Sequence, residues 1–73
     1  METTKRTVGD NIVELREFHG LTRWRLAQLA KMEYTTLKQW ERGIRSPRAV
    51  LLARVARALL VPVERLLQGV DDD

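Results

Sequence analysis

Two short amphipathic segments joined by a tight turn, between Leu21 and Gly43, constrain the fold of this chain most strongly. The first segment places Leu26 and Ala30 four residues apart, and the second places Leu37 and Trp40 three residues apart. Helices this short are marginal in isolation because nucleation is costly, so they must pack on each other and on further helices. We therefore expect this pair to form the centre of a small all-α domain.

Capping and helix-breaking residues predict three further helices around this pair. The predicted helices cover residues 8–18, 23–30, 34–42, 47–59 and 63–68. Thr7 and Thr22 are N-cap candidates for the first two helices, and Ser46 followed by Pro47 is a start signal for the fourth. With no strand pattern and no internal repeat, the sequence predicts a compact five-helix fold. We assign residues 1–7 to a flexible N-terminal arm, 8–69 to the folded domain and 70–73 to an acidic tail.

Length and composition exclude several classes of function. The chain has 73 residues, no cysteine and one histidine, so it offers no thiolate or multi-histidine metal site. We find no nucleophile–base set and therefore expect no catalytic residue, no cofactor and no enzyme activity. A core this small has no room for a small-molecule ligand. The chain has no apolar run of about 20 residues and no signal peptide, so we expect a cytoplasmic protein without a membrane partner.

The chain is more basic than its formal net charge of +3 suggests. Between residues 3 and 70 there are 13 basic and six acidic side chains, which leaves a charge of +7 on this segment. Ten of the 13 basic residues are arginine, whose forked guanidinium suits phosphate oxygens. The charge favours a polyanionic partner, although many basic proteins simply have solvated faces.

The helix predicted over residues 34–42 has an apolar inner face and a polar outer face. This is the general design of the second helix of a helix-turn-helix, which reads DNA in the major groove. A polar face that contacts only solvent is the alternative interpretation of the same pattern.

The ordered motifs of the chain resemble the Cro/phage-repressor type of helix-turn-helix, also called the xenobiotic-response-element family. The resemblance covers residues 9–69, nearly the whole chain. The motifs that carry it are Leu15-Arg16, Gly20-Leu21-Thr22, Leu26-Ala27, Leu37, Trp40-Glu41-Arg42-Gly43, Pro47, Leu51-Leu52, Ala56-Arg57-Ala58-Leu59 and Val63-Glu64-Arg65-Leu66-Leu67.

The resemblance implies a lambda-repressor-like DNA-binding fold that binds double-stranded operator DNA as a symmetric homodimer. A small repressor of transcription that recognises a palindromic operator is the simplest such protein. The implied base contacts come from the outer face of the third helix: Tyr34, Thr35, Thr36, Lys38 and Gln39. Their chemistry agrees, since glutamine can form a forked pair with adenine, lysine can donate to guanine, and threonine methyl groups can contact thymine.

The resemblance also implies contacts to DNA phosphates from the ends of helices and from the loop after the third helix. These residues are Thr22, Arg23, Arg42, Arg45, Ser46 and Arg48. At the start of the second helix, a side chain and backbone N–H groups would act together on one phosphate. Surface charge without a partner stays the alternative for the loop residues.

The resemblance also implies a salt bridge within the fold and a contact surface between two copies. Arg16 and Glu41 match a pair that forms a salt bridge between helices in the family, so we assign both to the fold. The candidates for the homodimer surface lie in and around the fifth helix: Val61, Val63, Leu66, Leu67 and Val70. Some of these must be core residues, and the sequence does not separate the two groups.

The chain departs from the family pattern at four positions in the central stretch. Arg23 replaces the usual glutamine, and Glu33 stands where a capping serine or threonine is usual. Lys31 replaces a common glycine, so either it adopts a left-handed conformation or the turn differs. Trp24 is expected to be exposed.

A second hypothesis follows from the exposed aromatic residues. The same fold can act as a protein-interaction module of the antitoxin or adaptor type, with Trp24, Phe18 and Tyr34 as its docking surface. Binding to duplex DNA and its dependence on salt distinguish the two hypotheses.

Overall fold

The computed structural model describes residues 6–70, and these form five α-helices. The helices are α1 (Val8–Phe18), α2 (Arg23–Ala30), α3 (Tyr34–Glu41), α4 (Ala49–Ala58) and α5 (Val63–Leu66). The predicted all-α five-helix fold is confirmed. Residues 1–5 of the predicted arm and 71–73 of the predicted tail lie outside the described residues. Within residues 6–70, no helix is long and apolar enough to cross a membrane.

Side-chain caps fix the starts of α1 and α2 as predicted. The Thr7 hydroxyl accepts a hydrogen bond from the Asp10 amide at 3.0 Å, and the Asp10 carboxylate accepts one from the Thr7 amide at 2.9 Å. This reciprocal pair is a capping box. The Thr22 hydroxyl accepts from the Arg25 amide at 3.0 Å. Lys31 ends α2 in the left-handed conformation, at φ 55° and ψ 53°.

The predicted start of α4 was wrong. Arg48, not Ser46, occupies the N-cap position, with extended backbone angles (φ −80°, ψ 149°) and no side-chain cap. Pro47 is not the first helical residue; it lies partly buried and lines a surface cavity with Val8 and Trp40. The helix therefore begins two residues later than the local signal suggests, at Ala49.

Three helix ends also differ from the prediction. α3 ends at Glu41 and not at residue 42, α4 ends at Ala58 and not at residue 59, and α5 ends at Leu66 and not at residue 68. The chain continues from α5 through turns to Gly69, which has a positive φ of 76°. Differences of one or two residues at helix ends are ordinary.

One apolar core joins all five helices. It consists of Ile12, Leu15, Leu26, Ala27, Ala30, Leu37, Trp40, Leu52, Val55, Ala56, Leu59 and Leu66. α2 packs on α3 and α4, while α1 packs on α3 and α5. α3 is therefore held from two sides, and its remaining face is left outside the core.

Leu66 is fully buried, so among the candidates for the dimer surface it is one of the expected core residues. Val61 and Val63 are half-buried and pack against the core. Leu67 is exposed, and Val70 forms an isolated parallel bridge with Arg6. Leu67 is thus the most accessible of the predicted dimer residues.

Two residues of α1 hold it against other helices. A side-chain carbon at Gly9 would overlap the carbonyl oxygen of Trp40, so only glycine permits the close approach of α1 to α3. The buried Asn11 amide donates to the backbone carbonyls of Leu66 at 2.7 Å and Gln68 at 2.9 Å. Its oxygen accepts from Arg6 Nε at 2.7 Å. Arg6, which we placed in the flexible arm, is thereby attached to the folded domain.

Candidate nucleic-acid interface

The outer face of α3 carries all five predicted base-contact residues. Tyr34 and Thr35 are exposed, and Thr36, Lys38 and Gln39 are partly exposed. Leu37 and Trp40 point into the core, with exposed fractions of 0% and 2%. The helical period of 3.6 residues therefore separates a reading face from a packing face within eight residues.

A surface cavity brings part of this face together with the loop before α4. Thr36 lines it with Arg45, Ser46 and Arg48, and its walls include the core residue Trp40 and the partly buried Leu51. One predicted base-contact residue thus lies beside three predicted phosphate-contact residues. The arrangement forms a concave polar and cationic surface at the edge of α3.

The cations around α3 are not neutralised by described acids. Arg42, Arg45 and Arg48 are exposed, and none of them forms an ion pair within residues 6–70. Lys38, on α3 itself, likewise has no acidic partner among these residues. Unpaired exposed cations of this kind are suited to phosphate oxygens.

A buried carboxylate connects three helices behind this surface. Arg16 of α1 donates from Nε to Glu41 Oε2 at 2.8 Å and from Nη2 to Oε1 at 3.2 Å. The Glu41 side chain is only 1% exposed. The structure therefore contains the predicted pair between Arg16 and Glu41, in forked geometry.

The same carboxylate has a second partner that we did not predict. Arg23, at the start of α2, donates from Nε to Glu41 Oε1 at 2.8 Å. Its Nη1 approaches the Tyr34 hydroxyl at 3.4 Å, and its guanidinium carbon lies 5.8 Å from the centre of the Tyr34 ring. The hydrogen bonds to Glu41 and Tyr34 raise the pKa of Arg23, so its guanidinium is charged at every pH of interest.

The phosphate contacts of Thr22 and Arg23 stay predictions. The Thr22 hydroxyl caps α2, and Arg23 is turned toward Glu41. The only sequence signal for this second partner is that Arg23 replaces the glutamine usual in the family. This replacement shows that a cation is present, but it does not predict that the side chain turns toward Glu41.

Large apolar side chains are exposed at the C-terminal end of α1 and at the start of α2. Phe18 is 81% exposed and Trp24 is 59% exposed, as expected for Trp24 from the sequence. The Phe18 ring packs edge-on against the His19 ring at a centroid distance of 5.4 Å.

The helix-turn-helix family model matches residues 12–66, about three quarters of the chain. The chain belongs to the helix-turn-helix family. This confirms the resemblance to the Cro/phage-repressor type, and with it the class of DNA-binding transcriptional regulator rather than enzyme. Among curated protein sequences, none is significantly similar to this chain.

Solved structures agree with this membership. The restriction–modification controller protein C.AhdI from Aeromonas hydrophila is 30% identical, with a TM-score of 0.79 over 81% of this chain and 89% of that chain. The DNA-binding domain of the P22 c2 repressor is 22% identical, with a TM-score of 0.85 over 92% of this chain and 88% of that one. The P22 c2 repressor in complex with synthetic operator 9T is 23% identical, with a TM-score of 0.82 over 89% and 98% of the two chains. At these identities, the two P22 structures support the fold alone.

Proposed function

We propose that this protein is a sequence-specific regulator of transcription that inserts α3 into the major groove of duplex DNA. The observation that carries the proposal is the exposed polar face of α3, flanked by cations that have no ion-pair partner within residues 6–70. Tyr34, Thr35 and Gln39 are accessible on the helix, while Arg42 and Arg45 lie just beyond its end. A helix of this diameter fits the major groove, and the cations flank it where the phosphates would run.

Each group of side chains has a distinct task in this proposal. The face of Tyr34, Thr35, Thr36, Lys38 and Gln39 reads base edges. Contacts to phosphates come from Thr22, Arg42, Arg45, Ser46 and Arg48. Arg23, also predicted to contact a phosphate, is left out of this group because its Nε is bound to Glu41. Phosphate contacts set position and affinity, while base contacts set the sequence that is preferred.

We further propose that two copies bind a palindromic operator and repress transcription. The solved structure of C.AhdI, a restriction–modification controller protein, is the relative that supports a regulatory role. A two-fold dimer matches a palindrome, since each half-site receives one α3. Leu67, exposed at the end of α5, is our first candidate for the contact between copies. We place this regulator in the cytoplasm.

Gln39→Ala tests the base-reading role. We expect this change to reduce discrimination at one or two base pairs by about 1–3 kcal/mol, because a forked pair with adenine is lost. Binding of the wild-type and variant proteins is measured on a preferred duplex and on duplexes with single base-pair changes. Gln68→Ala is the control, since Gln68 is an exposed glutamine far from α3 in the chain. An unchanged preference in Gln39→Ala would contradict the proposed role of this side chain.

The exposure of Phe18 and Trp24 favours a second candidate function, a protein-interaction module with the same fold. Large apolar side chains on a surface commonly mark contacts with other proteins. The two candidates differ in one simple measurement. Binding to generic duplex DNA at low salt supports the first function, and its absence supports the second.

A further inference from the structure

Arg23 connects the interior of the protein to the first residue of α3. Its Nε is bound to Glu41 at 2.8 Å, and its other end lies against Tyr34. Among the described residues, Arg23 makes the only side-chain hydrogen bond to the Tyr34 hydroxyl. Tyr34 is 42% exposed and is not among the core residues. The guanidinium of Arg23 is thus a described contact that can orient the Tyr34 hydroxyl.

Glu41, the carboxylate that binds Arg23, is held in place by other contacts. Glu41 is buried in the last turn of α3, and its carboxylate is held from the other side by two hydrogen bonds from Arg16. A carboxylate fixed in this way determines the orientation of the planar guanidinium that shares it. The Arg23 Nη1 then points toward the first residue of α3, where it donates to the Tyr34 hydroxyl.

The direction of the hydrogen bond matters for recognition. The guanidinium can only donate, so the Tyr34 oxygen accepts and its own proton is free to be donated outward. A hydroxyl that accepts a hydrogen bond from a cation is polarised, so its own O–H group becomes a stronger donor. The acceptors within reach of a major-groove helix are guanine N7 and O6, adenine N7 and thymine O4.

We propose that Arg23 determines sequence specificity as a positioning residue, by holding Tyr34 so that its hydroxyl donates to an acceptor on a base edge. Arg23 acts on the DNA through Tyr34 and not as a contact to a phosphate. This inference rests on the proposed function, since it requires α3 in the major groove.

Positioning and phosphate contact have different signatures. Loss of a phosphate contact weakens binding to all sequences alike and lowers the salt dependence by the equivalent of about one phosphate. Loss of positioning weakens discrimination at the base pairs that Tyr34 reads and leaves the salt dependence as it was. The two roles of Arg23 can therefore be separated without a structure of the complex.

The test is a double-mutant cycle with Arg23→Gln, Tyr34→Phe and the double variant. Binding is measured on the preferred duplex and on all single base-pair changes, at several salt concentrations. We expect both single variants to lose discrimination at the same one or two base pairs, by about tenfold. The double variant is expected to lose no more than either single one, and the salt slope is expected to match that of the wild type.

Two further variants keep the test interpretable. Arg23→Lys retains the positive charge beside Glu41 but not the planar fork, so we expect the same loss of discrimination. Arg25→Gln is the control: Arg25 is an exposed arginine on α2 whose side chain bonds to Gln28 and not to α3. Its base preferences are expected to match the wild type. Thermal unfolding of every variant shows that the proteins compared are folded.

Several results would overturn the inference. Additive losses in the cycle, or losses at different base pairs, would show that Arg23 and Tyr34 act independently. A uniform loss over all duplexes with a flatter salt slope would assign Arg23 to a phosphate. If the wild-type protein binds no duplex at low salt, the proposed function itself fails, which is distinct from either outcome.

Discussion

At the scale of single residues, the buried amide of Asn11 illustrates how one polar side chain joins distant parts of the chain. It bonds to two carbonyls at the end of α5 and to Arg6 before α1. These carbonyls would otherwise lack partners at a helix end, where four are left without intrahelical bonds. The sequence signal is slight: a polar residue lies beside Val8, Ile12 and Leu15 in an apolar stripe.

Asn11→Ala is expected to destabilise the protein by about 2 kcal/mol, because it leaves buried carbonyl groups without donors. Urea unfolding followed by circular dichroism measures this change. Gln28→Ala, at an exposed position on α2, serves as the control and is expected to change stability by less than about 0.5 kcal/mol. Equal small changes for the two variants would contradict the role assigned to Asn11.

At the scale of helices, the starts of α1, α2 and α4 differ in how they are capped. Thr7 and Thr22 each accept a hydrogen bond from a backbone amide, whereas Ser46 lies two residues before the N-cap position of α4. We expect Thr7→Ala and Thr22→Ala to cost about 1 kcal/mol each. Ser46→Ala is expected to change the free energy of unfolding by less than about 0.5 kcal/mol. A cost for Ser46→Ala equal to the threonine variants would show that Ser46 caps the helix after all.

The same comparison explains which helix boundaries the sequence can predict. The starts of α1 and α2 depend on a residue and its neighbours within three positions, so the local pattern is sufficient. The start of α4 does not follow the local signal: Arg48 occupies the N-cap position, and the partly buried Pro47 lines a surface cavity with Trp40 and with Val8, which is distant in the chain.

The candidate interface likewise has one part that the sequence predicts and one part that it does not. The reading face of α3 follows from helical periodicity alone, because residues three or four positions apart share a face, which turns either to the core or to the solvent. The direction of the Arg23 side chain does not follow from periodicity. It depends on Glu41, 18 positions away in the chain, and on the packing of α2 against α3.

At the scale of the whole molecule, burial separates two groups of arginines: those bound to an acid inside the protein and those exposed beside the reading face of α3. Glu41 is the buried acid and is shared by two arginines, so these cations are partly balanced inside the protein. Arg42, Arg45 and Arg48 remain exposed near the reading face. In the proposed function, these cations contact phosphates, and this predicts DNA binding that weakens steeply with added salt.

Selection of bound sites from random duplex DNA tests most directly whether α3 reads a specific duplex sequence. We expect a single preferred sequence with two inverted half-sites whose centres are about one helical turn apart, roughly 10–10.5 base pairs, or a multiple of this spacing. Selection with a variant carrying alanine at Thr35, Lys38 and Gln39 is expected to lose this preference. Recovery of no common sequence with the wild-type protein, or of the same sequence with the variant, would contradict sequence reading by α3.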